Sequence, residues 1–87
     1  MSWSLAQVRS LKAANANVPR DLELEAIWEE ITTGWSEADI VATAEGGMSD
    51  ADRVALEEII RDEGLAVDAD EAAEWFVERC WEHGRDG

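Results

Sequence analysis

The residue pair with the clearest chemical potential is Cys80 and His83, which lie three positions apart near the end of the chain. On a helix this spacing lets a thiolate and an imidazole reach one metal ion, or lets the imidazole activate the thiol as a nucleophile. A structural zinc site needs four ligands, however, and the sequence has no second cysteine or histidine. We therefore expect a small core cysteine and a histidine that interacts with the C-terminal helix dipole, with no metal and no cofactor.

Another candidate motif, which is acidic, begins like a calcium-binding loop with Asp68 and Asp70. Ala72 and Ala73 then stand where an oxygen ligand and the turn glycine are needed, and Arg79 occupies the position of the bidentate glutamate, so the motif is not an EF-hand. Phosphate-binding loops, nucleophile elbows and paired metal-binding histidines do not occur in the sequence either. We expect a protein that is not an enzyme and has no catalytic residues.

Carboxylates recur at helical spacing through the second half of the chain. Side chains three or four residues apart on a helix stand about 5 to 6 Å apart, close to the spacing of phosphates along a nucleic-acid strand. Trp75 lies nearly opposite the apolar stripe of its helix, which is expected of an interface anchor unless another helix covers it. The candidate protein-binding residues are Glu57, Glu58, Asp62, Asp70, Glu71, Glu74, Trp75, Glu78 and Glu82.

The charge of the chain is strongly asymmetric. The first 20 residues contain no acid and three bases, whereas the remainder contains all 21 acids, and the net charge is −14. A polyanionic surface repels nucleic acid and anionic membranes and attracts basic partners. If residues 4–31 formed a helix-turn-helix, the second helix would present acids to the DNA phosphates, namely Glu23, Glu25, Glu29 and Glu30. We therefore expect a protein partner with a basic surface, no direct nucleic-acid binding and no membrane.

Length and composition indicate one small domain over residues 1–87. A chain of 87 residues buries only roughly 60 to 65% of its unfolded surface, so a homodimer could add stability. The hydrophobic fraction of 46% argues against disorder. With one cysteine, no long apolar run and no apolar leader, the expected location is the cytoplasm.

Cap residues and glycines divide this domain into about five short helices. Pro19 opens the second helix, and the other four begin at Ser4, Ser36, Ser49 and Asp68, each with a suitable residue three positions later. The helices are predicted to stop at residue 14 and at Gly34, Gly46, Gly64 and Gly84. Trp3 is placed to pack on Val8 as a hydrophobic staple. No segment has the alternation of a strand, so the predicted fold is an all-α compact bundle.

One apolar stripe per helix defines the expected core. Its members are Leu5, Val8, Leu11, Leu24, Ile27, Trp28, Ile31, Ile40, Val41, Ala44, Ala55, Leu56, Ile59, Ile60, Ala73, Phe76, Val77, Cys80 and Trp81. The acids of the second helix, including Glu23, are expected on its outer face with the others. Arg9 and Lys12 of the first helix are expected against the acidic remainder, against a second copy, or in solvent.

Three interpretations of the acidic surface stay open. The first is an inhibitor or regulator that mimics nucleic acid and engages the basic nucleic-acid-binding surface of a target, by analogy of charge and size with small phage-encoded inhibitors of restriction or CRISPR complexes. The second is an antitoxin-like or adaptor protein that binds through an apolar interface near Trp75 and Leu22. The third is a generic solvated surface or a halophilic domain of unrelated function.

Overall fold

A computed structural model describes residues 4–14 and 17–86 (backbone only for 85 and 86), and these residues contain five α-helices. They are α1 (Leu5–Ala13), α2 (Arg20–Thr32), α3 (Glu37–Gly46), α4 (Asp50–Glu63) and α5 (Ala69–Asp86). The residues described contain no strand, and the all-α bundle predicted from the sequence is confirmed. None of these helices is both long and apolar enough to cross a membrane.

The predicted N-terminal caps are present. Ser4 and Ser36 each form a reciprocal capping box, with Gln7 and Asp39 respectively. The Ser49 hydroxyl accepts the amide hydrogen of Asp52 at 3.2 Å, and the carboxylate of Asp68 accepts the amide hydrogens of Asp70 and Glu71 at the start of α5. Trp3, predicted as a staple, lies outside the described residues. The local cap chemistry therefore sets where these helices begin.

The two last helices end differently. Gly64 adopts the left-handed conformation (φ 62°, ψ 40°) after α4, and the amide of Leu65 donates to the carbonyl of Ile60 at 3.0 Å, as in a Schellman motif. The predicted stop of α5 at Gly84 is wrong, because the helix continues to Asp86. Gly84 keeps a helical backbone there, and a Cβ at this position would lie 3.9 Å from the Val41 side chain.

The core consists of two clusters that meet at α2 and α5. The first joins α1, α2, α4 and the start of α5 through Leu5, Val8, Leu24, Ala26, Ile27, Leu56, Leu65, Val67 and Ala72. The second joins α2, α3 and α5 through Trp28, Ile40, Ala44, Phe76 and Cys80. Phe76 is fully buried, with ring centroids 5.1 Å from Trp28 and 5.7 Å from Trp35. This packing fixes the rotation of α5 about its axis.

At three positions the observed burial of the side chain differs from the prediction. Trp81 is 52% exposed and Val41 is 43% exposed, so both are wrongly placed in the predicted core. Trp81 lies about 100° around α5 from Cys80, and α3 covers Cys80 rather than Trp81. Glu23, predicted on the outer face of α2, is only 3% exposed. Its burial follows from α2 packing against α1 on one side and α4 and α5 on others.

The basic helix α1 is held on the body by charge. Arg9 donates to the Glu63 carboxylate, and the Lys12 ammonium donates to the carbonyl oxygens of Glu63 and Gly64 at 3.3 and 2.9 Å. Lys12 also lies 3.5 Å from the Glu23 carboxylate, which accepts the Ala66 amide hydrogen at 3.4 Å. Of the three expectations for these bases, contact with the acidic remainder of the same chain is the one observed.

Candidate functional site

The bases whose side chains the structure describes are paired with acids of the same chain. Every Lys and Arg from Arg9 to Arg79 lies in an ion pair with a carboxylate of the same chain. The pairs are Arg9 with Glu63, Lys12 with Glu23, Arg20 with Glu71, Arg53 with Glu57 and Asp70, Arg61 with Asp62, and Arg79 with Glu25. The negative charge that remains is therefore carried by acids with no internal counterion among the described side chains.

The eight predicted acidic site residues are all exposed, but they differ in their charge partners. Four of them, Glu57, Asp62, Asp70 and Glu71, are already in ion pairs. Within the described part of the chain, no base lies within ion-pair distance of the other four, which are Glu58, Glu74, Glu78 and Glu82. Unneutralised carboxylates attract an external cation more strongly than paired ones, so these four dominate the candidate site.

Three of these carboxylates form a row along α5, here named the α5 ridge: Glu74, Glu78 and Glu82. Residues four apart on a helix share a face and are separated by about 6 Å along its axis. Phe76 and Cys80 are buried on the opposite side of the helix and hold the ridge toward solvent. The structure thus presents three evenly spaced negative charges on a rigid element.

A groove runs beside the first part of the ridge, between the start of α4 and α5. This α4–α5 groove has a volume of about 770 Å³, and its lining consists of Met48, Asp50, Arg53, Asp70, Ala73, Glu74, Val77 and Glu78. Arg53 pairs with Asp70 and, at 3.2 Å, with Glu57, so it ties α4 to α5. The remaining charged groups of the lining, Asp50, Glu74 and Glu78, are negative and have no ion-pair partner among the described side chains, so the groove has a negative potential.

The other acids of α4 face a different surface. A second groove of about 370 Å³ lies between α2 and α4, and its lining consists of Glu30, Ile31, Asp52, Ala55, Glu58, Ile59 and Asp62. Glu58 and Asp62 belong to this α2–α4 groove, on the opposite flank of α4 from Asp50 and Arg53. The predicted site residues therefore form two acidic surfaces, one on each side of α4.

Among the tryptophans that the structure describes, the most exposed one differs from the one singled out in the sequence. Trp75 is half-buried and packs against both core clusters, whereas the Trp81 side chain is 52% exposed. Trp81 follows Glu78 by three residues and Val77 by four, so it lies next to the α5 ridge. Sequence reasoning missed this residue, although a helical wheel already separates Trp81 from Phe76 by about 140°.

The Cys80 and His83 pair has the properties of structural residues. Cys80 is fully buried, and burial together with the charge of Asp52 raises the pKa of its thiol to about 11, so little thiolate forms at neutral pH. His83 is exposed, with its ring centroid 6.1 Å from that of Trp28. Among the side chains described, no group of three or more His, Cys, Asp or Glu residues is arranged to hold a metal ion.

Comparison with known proteins gives no relative for this chain. No protein-family model matches the sequence, and no match was found among curated proteins or solved structures.

Proposed function

We propose that this protein is a non-enzymatic, cytoplasmic binding module that engages the basic surface of another protein through its acidic helical faces. In its most concrete form it is an inhibitor or regulator that occupies the nucleic-acid-binding surface of its target, as a phage-type anti-restriction or anti-CRISPR protein does. The partner supplies the cations, and this chain supplies carboxylates already held in position.

The observation that carries this proposal is the distribution of ion pairs. The described bases from Arg9 to Arg79 are engaged inside the chain, while Glu74, Glu78 and Glu82 are exposed and form no ion pair with any described side chain. A surface that only needed solubility would be served by interspersed charges of both signs. The row of carboxylates on α5 that lack an ion pair, beside a groove whose other unpaired charges are also negative, instead favours recognition of a basic surface.

The geometry of the α5 ridge supports the nucleic-acid mimic in particular. Its charges are separated by about 6 Å along a straight helix, similar to successive phosphates of one strand, and the helix is anchored in the core by Phe76. Preorganised charge of this kind steers a basic partner during encounter and fixes the register of the complex. We expect the affinity to fall as salt rises, because the interacting charges are exposed.

A second candidate function is favoured by the exposed apolar surface. An antitoxin-like or adaptor protein would bind mainly through apolar contacts, and Val41 and Trp81 supply such contacts. The interface predicted around Trp75 is less accessible, because that indole packs against both core clusters. This alternative predicts an affinity that hardly depends on salt. A halophilic domain of unrelated function predicts no specific partner and a fold that tightens in molar salt.

The proposal is tested by affinity capture from host-cell extract with the purified protein as bait, eluted in a salt gradient and identified by mass spectrometry. We expect one nucleic-acid-binding protein or complex, eluting at moderate salt and competed off by DNA or RNA. A single partner that resists salt would favour the adaptor instead. The matched baits are E74K/E78K and D21K/E29K, which change the net charge equally at acids without an ion pair among the described side chains; Asp21 and Glu29 line neither acidic groove.

A further inference from the structure

The exposed apolar residues line a slot that continues the acidic groove. The α3–α5 slot has a volume of about 270 Å³ and is lined by Val41, Ala44, Glu45, Cys80, Trp81 and Gly84. On α5, the residues that line the groove and then the slot recur every three or four positions: Ala73 and Val77 in the groove, then Cys80, Trp81 and Gly84 in the slot. Residues at this spacing share one helical face, so the groove and the slot follow one another on the same side of α5, and together they are here named the channel.

Apolar groups lie along this channel and acids lie at its edges. Ala73, Val77 and Trp81 supply apolar surface from α5, and Met48 and Val41 supply it from the neighbouring elements. The acids are Asp50, Glu74 and Glu78 in the groove and Glu45 in the slot, and none of them has an ion-pair partner among the described side chains. From Asp70 to Gly84 the channel is about 21 Å long, the length of a helix of about four turns.

We infer that this channel binds a basic amphipathic helix of the partner protein, with one large apolar side chain of that helix seated against Trp81 in the slot. Such a helix places an apolar stripe in the channel and Lys or Arg side chains on both flanks, opposite the acids. The inference rests on the proposed function, since it specifies which part of a basic partner is recognised.

Charge argues for this occupant over a second copy of the chain. The net charge of −14 and the acids along the channel would repel an identical surface brought face to face. Trp81 and Val41 are both exposed and both line the slot, and a tryptophan that loses its water on binding is a frequent centre of binding energy. A basic helix satisfies both the charge and the apolar surface at once.

The test uses two synthetic helical peptides of equal charge, one with a Lys/Leu amphipathic pattern and one in which serine replaces every leucine. Amide and indole NMR signals of the labelled protein follow the titrations, with the Trp81 indole assigned from W81F. We expect the Lys/Leu peptide to shift the Trp81 indole and the signals of residues 73–84. Trp81→Ala should weaken its binding about thirtyfold, as loss of an anchor does.

Two further variants test whether the effect of Trp81→Ala is specific to the slot. Val54, exposed to the same extent at 52%, lines neither groove nor slot, so V54A should bind like the unaltered protein. V41K places a cation in the slot and should lower the affinity for the Lys/Leu peptide. Far-UV circular dichroism is used to check that each variant is folded.

The outcomes separate this inference from the proposed function. The channel inference would be wrong if the Lys/Leu peptide bound Trp81→Ala as tightly as the unaltered protein and did not shift the Trp81 indole signal of the unaltered protein. Even then, loss of binding of both peptides in E74K/E78K would support recognition of basic partners. Peptide binding insensitive to E74K/E78K and to salt would contradict the proposed function itself. If the unaltered protein self-associates in sedimentation velocity and Trp81→Ala does not, the channel is a dimer interface, and the inference that it binds a basic helix is wrong.

Discussion

Lys12 is the residue whose replacement tests most sharply how the acidic body holds its basic first helix. Its ammonium lies 3.5 Å from the Glu23 carboxylate, and the two side chains are 36% and 4% exposed. The Lys12→Met variant keeps the length of the side chain but leaves Glu23 buried with only the Ala66 amide, 3.4 Å away, as a described hydrogen-bond donor. A buried carboxylate without its cation is strongly destabilising.

The size of the effect follows from these contacts. Removing one partner of a fully buried pair costs about 3 to 5 kcal/mol, and the partial exposure of Lys12 lowers this to about 2 kcal/mol through solvent screening. Loss of the 2.9 Å hydrogen bond to the Gly64 carbonyl adds about 1 kcal/mol. The expected total of about 3 kcal/mol is a large share of the roughly 4 to 13 kcal/mol that stabilises a domain of this size.

The assay is a double-mutant cycle in urea, followed by far-UV circular dichroism at neutral pH. Glu23→Gln alone should cost about 1 kcal/mol, because Lys12 keeps its carbonyl partners and can reach solvent. The double variant K12M/E23Q should be more stable than the sum of the two single changes predicts, by about 2 kcal/mol, since no unpaired charge stays buried. Arg61→Met, at a side chain that is 74% exposed, is the control and should stay within about 0.5 kcal/mol.

Two results would refute this reasoning. A K12M variant no less stable than R61M would show that the Glu23 carboxylate does not need its cation. Strict additivity in the double variant would show that Lys12 and Glu23 do not interact.

Three further outcomes follow from single residues. The hydrogen bond from Arg9 lowers the pKa of Glu63 below its ordinary value of 4.5, so this carboxylate stabilises the fold above that pH and the stabilisation is lost as the pH falls through the lowered value. In urea titrations between pH 3 and pH 7, the free energy of unfolding of Glu63→Gln should fall less toward acid pH than that of the unaltered protein. An identical pH dependence of the two proteins would contradict this. Gly64→Ala should cost about 1 to 2 kcal/mol in urea, because its φ of 62° is strained for a residue with a Cβ. With a pKa of about 11 and a fully buried side chain, Cys80 should react with a disulfide reagent at pH 8 more than about 100-fold slower than free cysteine. Equal rates would show that the thiol is accessible.

The helix starts could be predicted because cap chemistry is local. Ser4, Ser36 and Ser49 need only an amide three residues away, and the structure makes each of these bonds. Gly84 failed as a stop signal because a glycine ends a helix only when the following chain turns away in the left-handed conformation. The sequence after Gly84 imposes no such turn, and the helix continues.

The candidate site was predictable in composition and less so in arrangement. Carboxylates prefer water, so the exposure of Glu74 and Glu78 follows from their type and spacing. Their freedom from counterions depends on tertiary placement, since Arg20 reaches Glu71 and Arg53 reaches Asp70 from other helices. The exposure of Trp81 likewise depends on which part of α5 is covered by α3, and helical spacing does not encode that cover.

The measurement that tests the central claim most directly is displacement of fluorescently labelled DNA or RNA from the captured partner by this protein, read as anisotropy at several salt concentrations. We predict that the unaltered protein and D21K/E29K displace the nucleic acid, that E74K/E78K does not, and that displacement weakens as salt rises. Simultaneous binding of this protein and the nucleic acid, or equal displacement by E74K/E78K, would contradict the claim that the unpaired carboxylates of α5 occupy the partner's basic surface.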